Sequence, residues 1–130
     1  MSETPAQFTL SIDKFADDLV EEQVVAVTQK LALTALRGVV MKSPVDTGRF
    51  RGNWNVGIGS IDYSITDNVD KTGQETINKG AGIVDRAPAY QAIWISNNLP
   101  YANRLENGWS KQAPAGMVAL TFAELETMFR

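Results

Sequence analysis

The chain has 130 residues, a formal net charge of −3, 44 % apolar residues, and neither cysteine nor histidine. That length suits one domain with its own core. Without Cys there is no disulfide framework, thiolate nucleophile or Cys-zinc site, and without His the commonest general base and transition-metal ligand are missing. An acidic balance with both charge signs interspersed argues against a phosphate-gripping surface.

The opening residues carry no positive n-region and no apolar h-region, so no signal peptide is expected. Uninterrupted apolar runs are only a few residues long, and no membrane partner is expected. Residues 6–12 alternate Phe8, Leu10 and Ile12 with polar positions, the period of a short half-buried strand. Asp13 reads as a helix N-cap. From there to about Met41 the period changes: Phe15, Leu19, Val20, Val24, Val27, Leu31 and Ala35 recur at three- and four-residue steps, as one face of a long amphipathic helix. Lys42 and Ser43-Pro44 supply its cationic end and its stop.

Val45-Asp46-Thr47-Gly48 reads as a turn. Phe50 to Ile65 carries Trp54, Val56, Ile58, Tyr63 and Ile65 at alternating positions, which predicts a bent strand pair interrupted at Gly57 and Gly59. Residues 66–90 suit either a short helix around Gln74 to Val84 or an exposed, partly ordered loop, making about 66–86 a flexible insertion in a single 1–130 domain. After Pro88, a strand from Tyr90 to Ser96 is apolar on both faces and therefore central or interface-facing. Tyr101 to Glu106 predicts one or two helical turns closed by Asn107-Gly108. Gly116 to Phe129 predicts a second amphipathic helix entered through Ala113-Pro114. The expected fold class is α+β: a long N-terminal helix and a C-terminal helix packed on a small, mostly antiparallel sheet.

Reactive constellations are weak. The run from Asp67 to Gly73 resembles the start of a calcium loop but lacks the remaining ligand spacing and the closing Glu, so a solvated loop is favoured. Gly57-Ile58-Gly59 and Gly80-Ala81-Gly82 are not dinucleotide fingerprints. Serine hydrolysis has no base, and nothing in the spacing selects Asp85 with Glu106 over other acid pairs. The basic run Gly48-Arg49-Phe50-Arg51-Gly52 is short, and a surface turn or interface salt bridges explain it better than nucleic acid. No catalytic, cofactor or metal site is expected. A set of aromatic and amide residues in turn-rich segments stays unexplained: Trp54, Asn55, Trp94, Asn97, Asn98, Tyr101, Asn103 and Trp109. Core packing accounts for Trp54 and Trp94, whereas Trp109 in a polar stretch suits a protein–protein contact.

Three motifs in order carry a family resemblance: Ser43-Pro44-Val45-Asp46-Thr47-Gly48-Arg49-Phe50-Arg51-Gly52-Asn53-Trp54; Asn97-Asn98-Leu99-Pro100-Tyr101-Ala102-Asn103-Arg104-Leu105-Glu106-Asn107-Gly108; and Gln112-Ala113-Pro114-Ala115-Gly116-Met117. Behind a long helix, and spanning about residues 14–122, this pattern resembles the head–tail joining and tail completion proteins of long-tailed bacteriophages, the relatives of lambda's minor tail protein Z. The resemblance implies a non-catalytic virion protein made in the host cytoplasm. It would form a homo-oligomeric ring, usually a hexamer, at the neck between head connector or stopper and tail tube. Double-stranded DNA would pass through the lumen without sequence-specific binding. A tail terminator capping the tube is the allied alternative. Under this reading the interface candidates are Asp46, Thr47, Gly48, Arg49, Arg51, Trp54, Tyr101, Glu106 and Trp109, with Arg49 or Arg51 expected to pair with Glu106 either buried in the chain or between subunits. A metal-dependent enzyme and a free-standing binding module are the competing classes.

Overall fold

The computed structural model describes residues 9–11, 21–45, 48–102, 106–107 and 116–128. The elements, in chain order, are β1 (Thr9–Ser11), α1 (Glu21–Lys42), β2 (Trp54–Ile58), α2 (Gln74–Val84), β3 (Ile93–Asn97) and α3 (Met117–Met128). The fold is α+β, with the helices on a small sheet ordered β1-β3-β2 and antiparallel at both pairings. A strand apolar on both faces belongs in the middle of a sheet, and β3 takes that place.

Register assigns the two faces. Trp54 lies opposite Asn97, Val56 opposite Ile95 and Ile58 opposite Ile93. Directly opposed residues of an antiparallel pair share a side, so these side chains form the inner face. Ile93 and Ile95 are 0 % and 2 % exposed there. The outer face carries Asn55 opposite Ser96 and Gly57 opposite Trp94.

α1 is 22 residues, about 33 Å at 1.5 Å per residue. It buries Val24, Thr28, Leu31, Ala35 and Val39, with Ala32, Leu36 and Val40 beside them. That double row of four-residue steps packs against β3, α2 and α3. Each fully buried Leu or Val contributes about 1.5–3 kcal/mol. The stretch Glu22–Lys42 is also long and apolar enough to cross a bilayer, because scattered polar residues interrupt its runs without lowering its mean hydropathy much. In this fold 44 % of its most apolar 18 residues are buried against the rest of the chain. The predicted start of the helix around Asp13, and residues 6–8 and 12 of the first strand, lie outside the described residues.

Three expectations change. The bent strand pair from Phe50 to Ile65 is reduced to β2. It is preceded by a 3-10 turn at Arg51–Asn53. At Gly59 the backbone turns with φ 79°. Tyr63 and Ile65, expected to alternate into a sheet, are 63 % and 52 % exposed. The strand predicted from Tyr90 begins at Ile93, because Tyr90 has a left-handed φ of 64° and residues 89–92 form no ladder.

Within 66–86 the fold builds the helical alternative, and α2 belongs to the core. Thr76, Ile77, Gly80 and Val84 are buried. A Cβ on Gly80 would lie 2.3 Å from Leu36 Cδ2 and 3.0 Å from Val56 Cγ2, so the glycine that weakens the helix by propensity is what lets α2 approach both neighbours. The predicted turn after Pro100 has helical backbone at Ala102 and Glu106. Its closure at Gly108 and the Ala113-Pro114 entry to α3 lie outside the described residues.

Candidate functional site

The first two motifs converge where the C-terminus of α1, the start of α2 and the end of β3 meet. Ser43 ends α1: its hydroxyl donates to the Val39 carbonyl at 2.6 Å and accepts the Trp54 indole N–H at 2.8 Å. Trp54 is 4 % exposed and packs edge-on to Phe50, with ring centroids 5.8 Å apart. It was a candidate for a subunit contact, and the structure corrects this. Its indole lies within the core, where the Ser43 hydroxyl satisfies its polar atom.

Arg51 reaches three carbonyls. Its Nε donates to Ser43 at 3.0 Å, Nη1 to Lys71 at 2.9 Å and Nη2 to Met41 at 3.0 Å. A planar fork suits this work, because the last carbonyls of a helix have no partner of their own. Burial lowers the guanidinium pKa, and the Asp70 carboxylate opposes that shift. Arg49 instead pairs with the exposed Asp67 at 3.5 Å. Within the protomer, the ion pair described for Arg49 is with Asp67 and the hydrogen bonds described for Arg51 go to carbonyls, so the part of the expectation that places the Glu106 pair inside one chain is corrected.

Glu106 serves α3. Its Oε1 accepts the Val118 N–H at 2.8 Å and its Oε2 the Ala119 N–H at 3.0 Å. A carboxylate on orphan N–H groups at a helix N-terminus satisfies donors and complements the dipole together. The sequence offers Glu106 as an interface residue and gives no reason to single out an acid pair with Asp85; in the fold both its oxygens cap α3. Glu106→Ala should lower thermal stability by about 1 kcal/mol, with Glu106→Gln recovering part of it, read as the unfolding midpoint by circular dichroism. Midpoints unchanged in both variants would remove this cap from the account.

Asp70 was weighed only as a calcium ligand. Its Oδ2 accepts the Thr76 N–H and hydroxyl, both at 2.7 Å, and its Oδ1 accepts the Gly73 N–H at 3.1 Å. Its own N–H donates to the Gly48 carbonyl at 2.9 Å. Burial pushes the carboxyl pKa up, yet the hydrogen bonds from Thr76, Gly73 and Thr72 outweigh that and hold it below its usual range. Asp70 thus caps α2 and ties it to the Gly48 turn. The sequence signal was present as Asp three residues before a helix-opening Gly and six before Thr76, in the geometry of an extended cap.

The amides left unexplained also find work. Asn53, fully buried, donates to the Arg49 and Thr66 carbonyls and accepts the Thr66 N–H. Asn97 donates to the Phe50 carbonyl at 3.0 Å and accepts the Leu99 N–H. Asn55 and Asn98 donate to carbonyls of residues 62–64. Amide side chains carry one donor and one acceptor face like a peptide unit, so they stand in for a missing strand. Tyr101 is half-buried, its ring 5.9 Å from Phe50. Asp46, Thr47, Asn103 and Trp109 lie outside the described residues.

Among the described residues no group of three or more acids gathers as a metal site. A cleft of about 30 Å³, roughly one water in size, lies between Gly52, Trp54, Thr66, Asp70, Thr76 and Lys79. The single carboxylate buried there already accepts every hydrogen bond described for it. No family model, no curated protein and no solved structure matches the chain.

Proposed function

We propose that the chain is a structural subunit of head–tail joining in a long-tailed phage or prophage, forming a homo-oligomeric ring at the neck and acting through shape rather than catalysis. The ordered motif string from Ser43 to Met117 supports the family reading. The observation that carries it is the use of the motif residues. The indole of Trp54, the guanidinium of Arg51, the amides of Asn53 and Asn97 and the carboxylate of Glu106 all hold backbone or side-chain partners within the fold. These motifs build a rigid turn hub, the kind of platform from which one subunit presents a fixed patch to the next. A net charge of −3 also suits a conduit that must release DNA rather than hold it.

The test is the mass of the purified chain by size exclusion with light scattering, alone and with a phage tail-tube protein. A species of about six times the 14.2 kDa protomer is expected. A strict monomer under both conditions, or particles lacking the chain that still join heads to tails, would overturn the proposal. A complex that forms only on preassembled tubes would favour the tail-terminator station.

A further inference from the structure

Between Gly59 and Thr66 the chain crosses the outer face of the sheet with almost no packing of its own. Its backbone is fastened at each end: the Gly59 N–H donates to the Ala92 carbonyl at 2.7 Å, and Thr66 is held twice by Asn53. In between, only side chains hold it to the sheet. Ser96 donates to the Asp62 carbonyl at 3.0 Å and Asn55 to the Ser64 carbonyl at 2.8 Å. Asn98 reaches both, at 2.9 Å to Asp62 and 3.2 Å to Ser64. No residue from 60 to 65 is buried, and the segment's Tyr63 and Ile65 point to solvent.

Lifting this segment therefore takes no buried residue of its own out of the protein, which marks a unit that opens below the global unfolding free energy. Two further observations identify what holds it closed. Asn98 is 7 % exposed and grips both carbonyls through Nδ2 alone, with no hydrogen bond described for its buried Oδ1, so the latch rests on one amide nitrogen. Below the segment, a Cβ on Gly57 would lie 2.2 Å from the Ser60 carbonyl oxygen, so the closed position depends on the absence of a side chain there.

We propose that residues 60–65 form a flap that opens as a unit from the outer face of the sheet, hinged at Gly59 and Thr66 and latched by Asn98. Opening returns the Asp62 and Ser64 carbonyls to water and uncovers Gly57 and Ser96, while the inner face and its core stay packed. Gly59, at φ 79°, gives one hinge the backbone freedom to swing. This device is independent of the neck reading.

Chymotrypsin tests it on the intact chain, with products located by mass spectrometry. The protease needs an extended segment in its cleft, so cutting after Tyr63 reports the open flap. Cutting after Tyr90, 65 % exposed in a separate loop, serves as the internal reference. When opening and closing outpace cleavage, the rate follows the open population. Asn98→Ala should raise cutting after Tyr63 about five- to tenfold, as loss of one or two hydrogen bonds implies, with cutting after Tyr90 unchanged. Gly57→Ala should do the same from beneath, with Asn98 intact. In the wild type, cutting after Tyr63, normalised to a small peptide substrate, should stay flat in urea below the unfolding transition, since the segment takes no buried residue of its own with it. Rates unchanged in both variants, or cutting after Tyr63 that climbs steeply with urea as global unfolding would, would overturn the flap.

Discussion

Gly48→Val should be strongly destabilising. Gly48 has φ 79°, a region a β-branched residue enters only under strain. A Cβ there would also lie 2.7 Å from the Lys71 nitrogen and 2.8 Å from the Asp70 nitrogen. Those are backbone atoms, and Gly48 itself accepts the Asp70 and Gly52 N–H groups through its carbonyl. The turn cannot shift without pulling on the cap of α2 and the 3-10 turn ahead of β2. Strain and displacement together are expected to cost about 3 kcal/mol or more, a fall of roughly 10 °C or more in the unfolding midpoint. Gly48→Ala should fall in the same direction by less. A valine variant that melts within a few degrees of wild type would show that the turn can be rebuilt with negative φ, and the account of this hub would fail.

The second large effect belongs to Asp70. Asp70→Ala removes the acceptor for the Gly73 and Thr76 N–H groups and the Thr76 hydroxyl, and leaves those donors buried. Unsatisfied buried donors and a lost cap amount to about 2–4 kcal/mol. The same carboxylate predicts a pH dependence. Its folded pKa lies below the usual 3.8. Its contribution is therefore fully present above about pH 4 and disappears as pH falls through the lower folded value. Measured as the midpoint difference between wild type and Asp70→Asn, the gap should be wide at pH 5–7 and narrow steadily below pH 4. Other carboxylates titrate in both proteins and cancel in that difference. A gap that widens on acidification would mean that burial, not hydrogen bonding, governs this group.

Much of the architecture is written in local periodicity. The three-and-four spacing from Val24 to Val39 has one stable solution, a helix with that stripe inward, and a strand apolar on both faces must sit between two others. Gly48 was legible as well, since Asp-Thr-Gly before a basic residue signals a turn requiring positive φ. Failures came where the period was right and the partner was missing. Tyr63 and Ile65 alternate as a strand would, but strand formation needs a neighbour's ladder, and side chains of Asn55, Ser96 and Asn98 take the intervening Asp62 and Ser64 carbonyls instead. α2 was ambiguous because glycine lowers intrinsic helicity. The clash that an alanine would meet against Leu36 and Val56 exists only once three elements are brought together.

The candidate site divides along the same line. The sequence by itself determined that cysteine and histidine are absent, that a long amphipathic helix and a central apolar strand form the frame, and that two turn motifs stand out. These depend on residue type and short spacing, which a linear chain displays in full. Only the tertiary structure decided what each motif residue does: Trp54 turned inward to Ser43, Arg51 closing α1, Glu106 opening α3 and Asp70 opening α2. Each role depends on a polar group at the end of another element: a hydroxyl for Trp54, backbone groups for the other three. Which ends meet is settled by packing across the whole core.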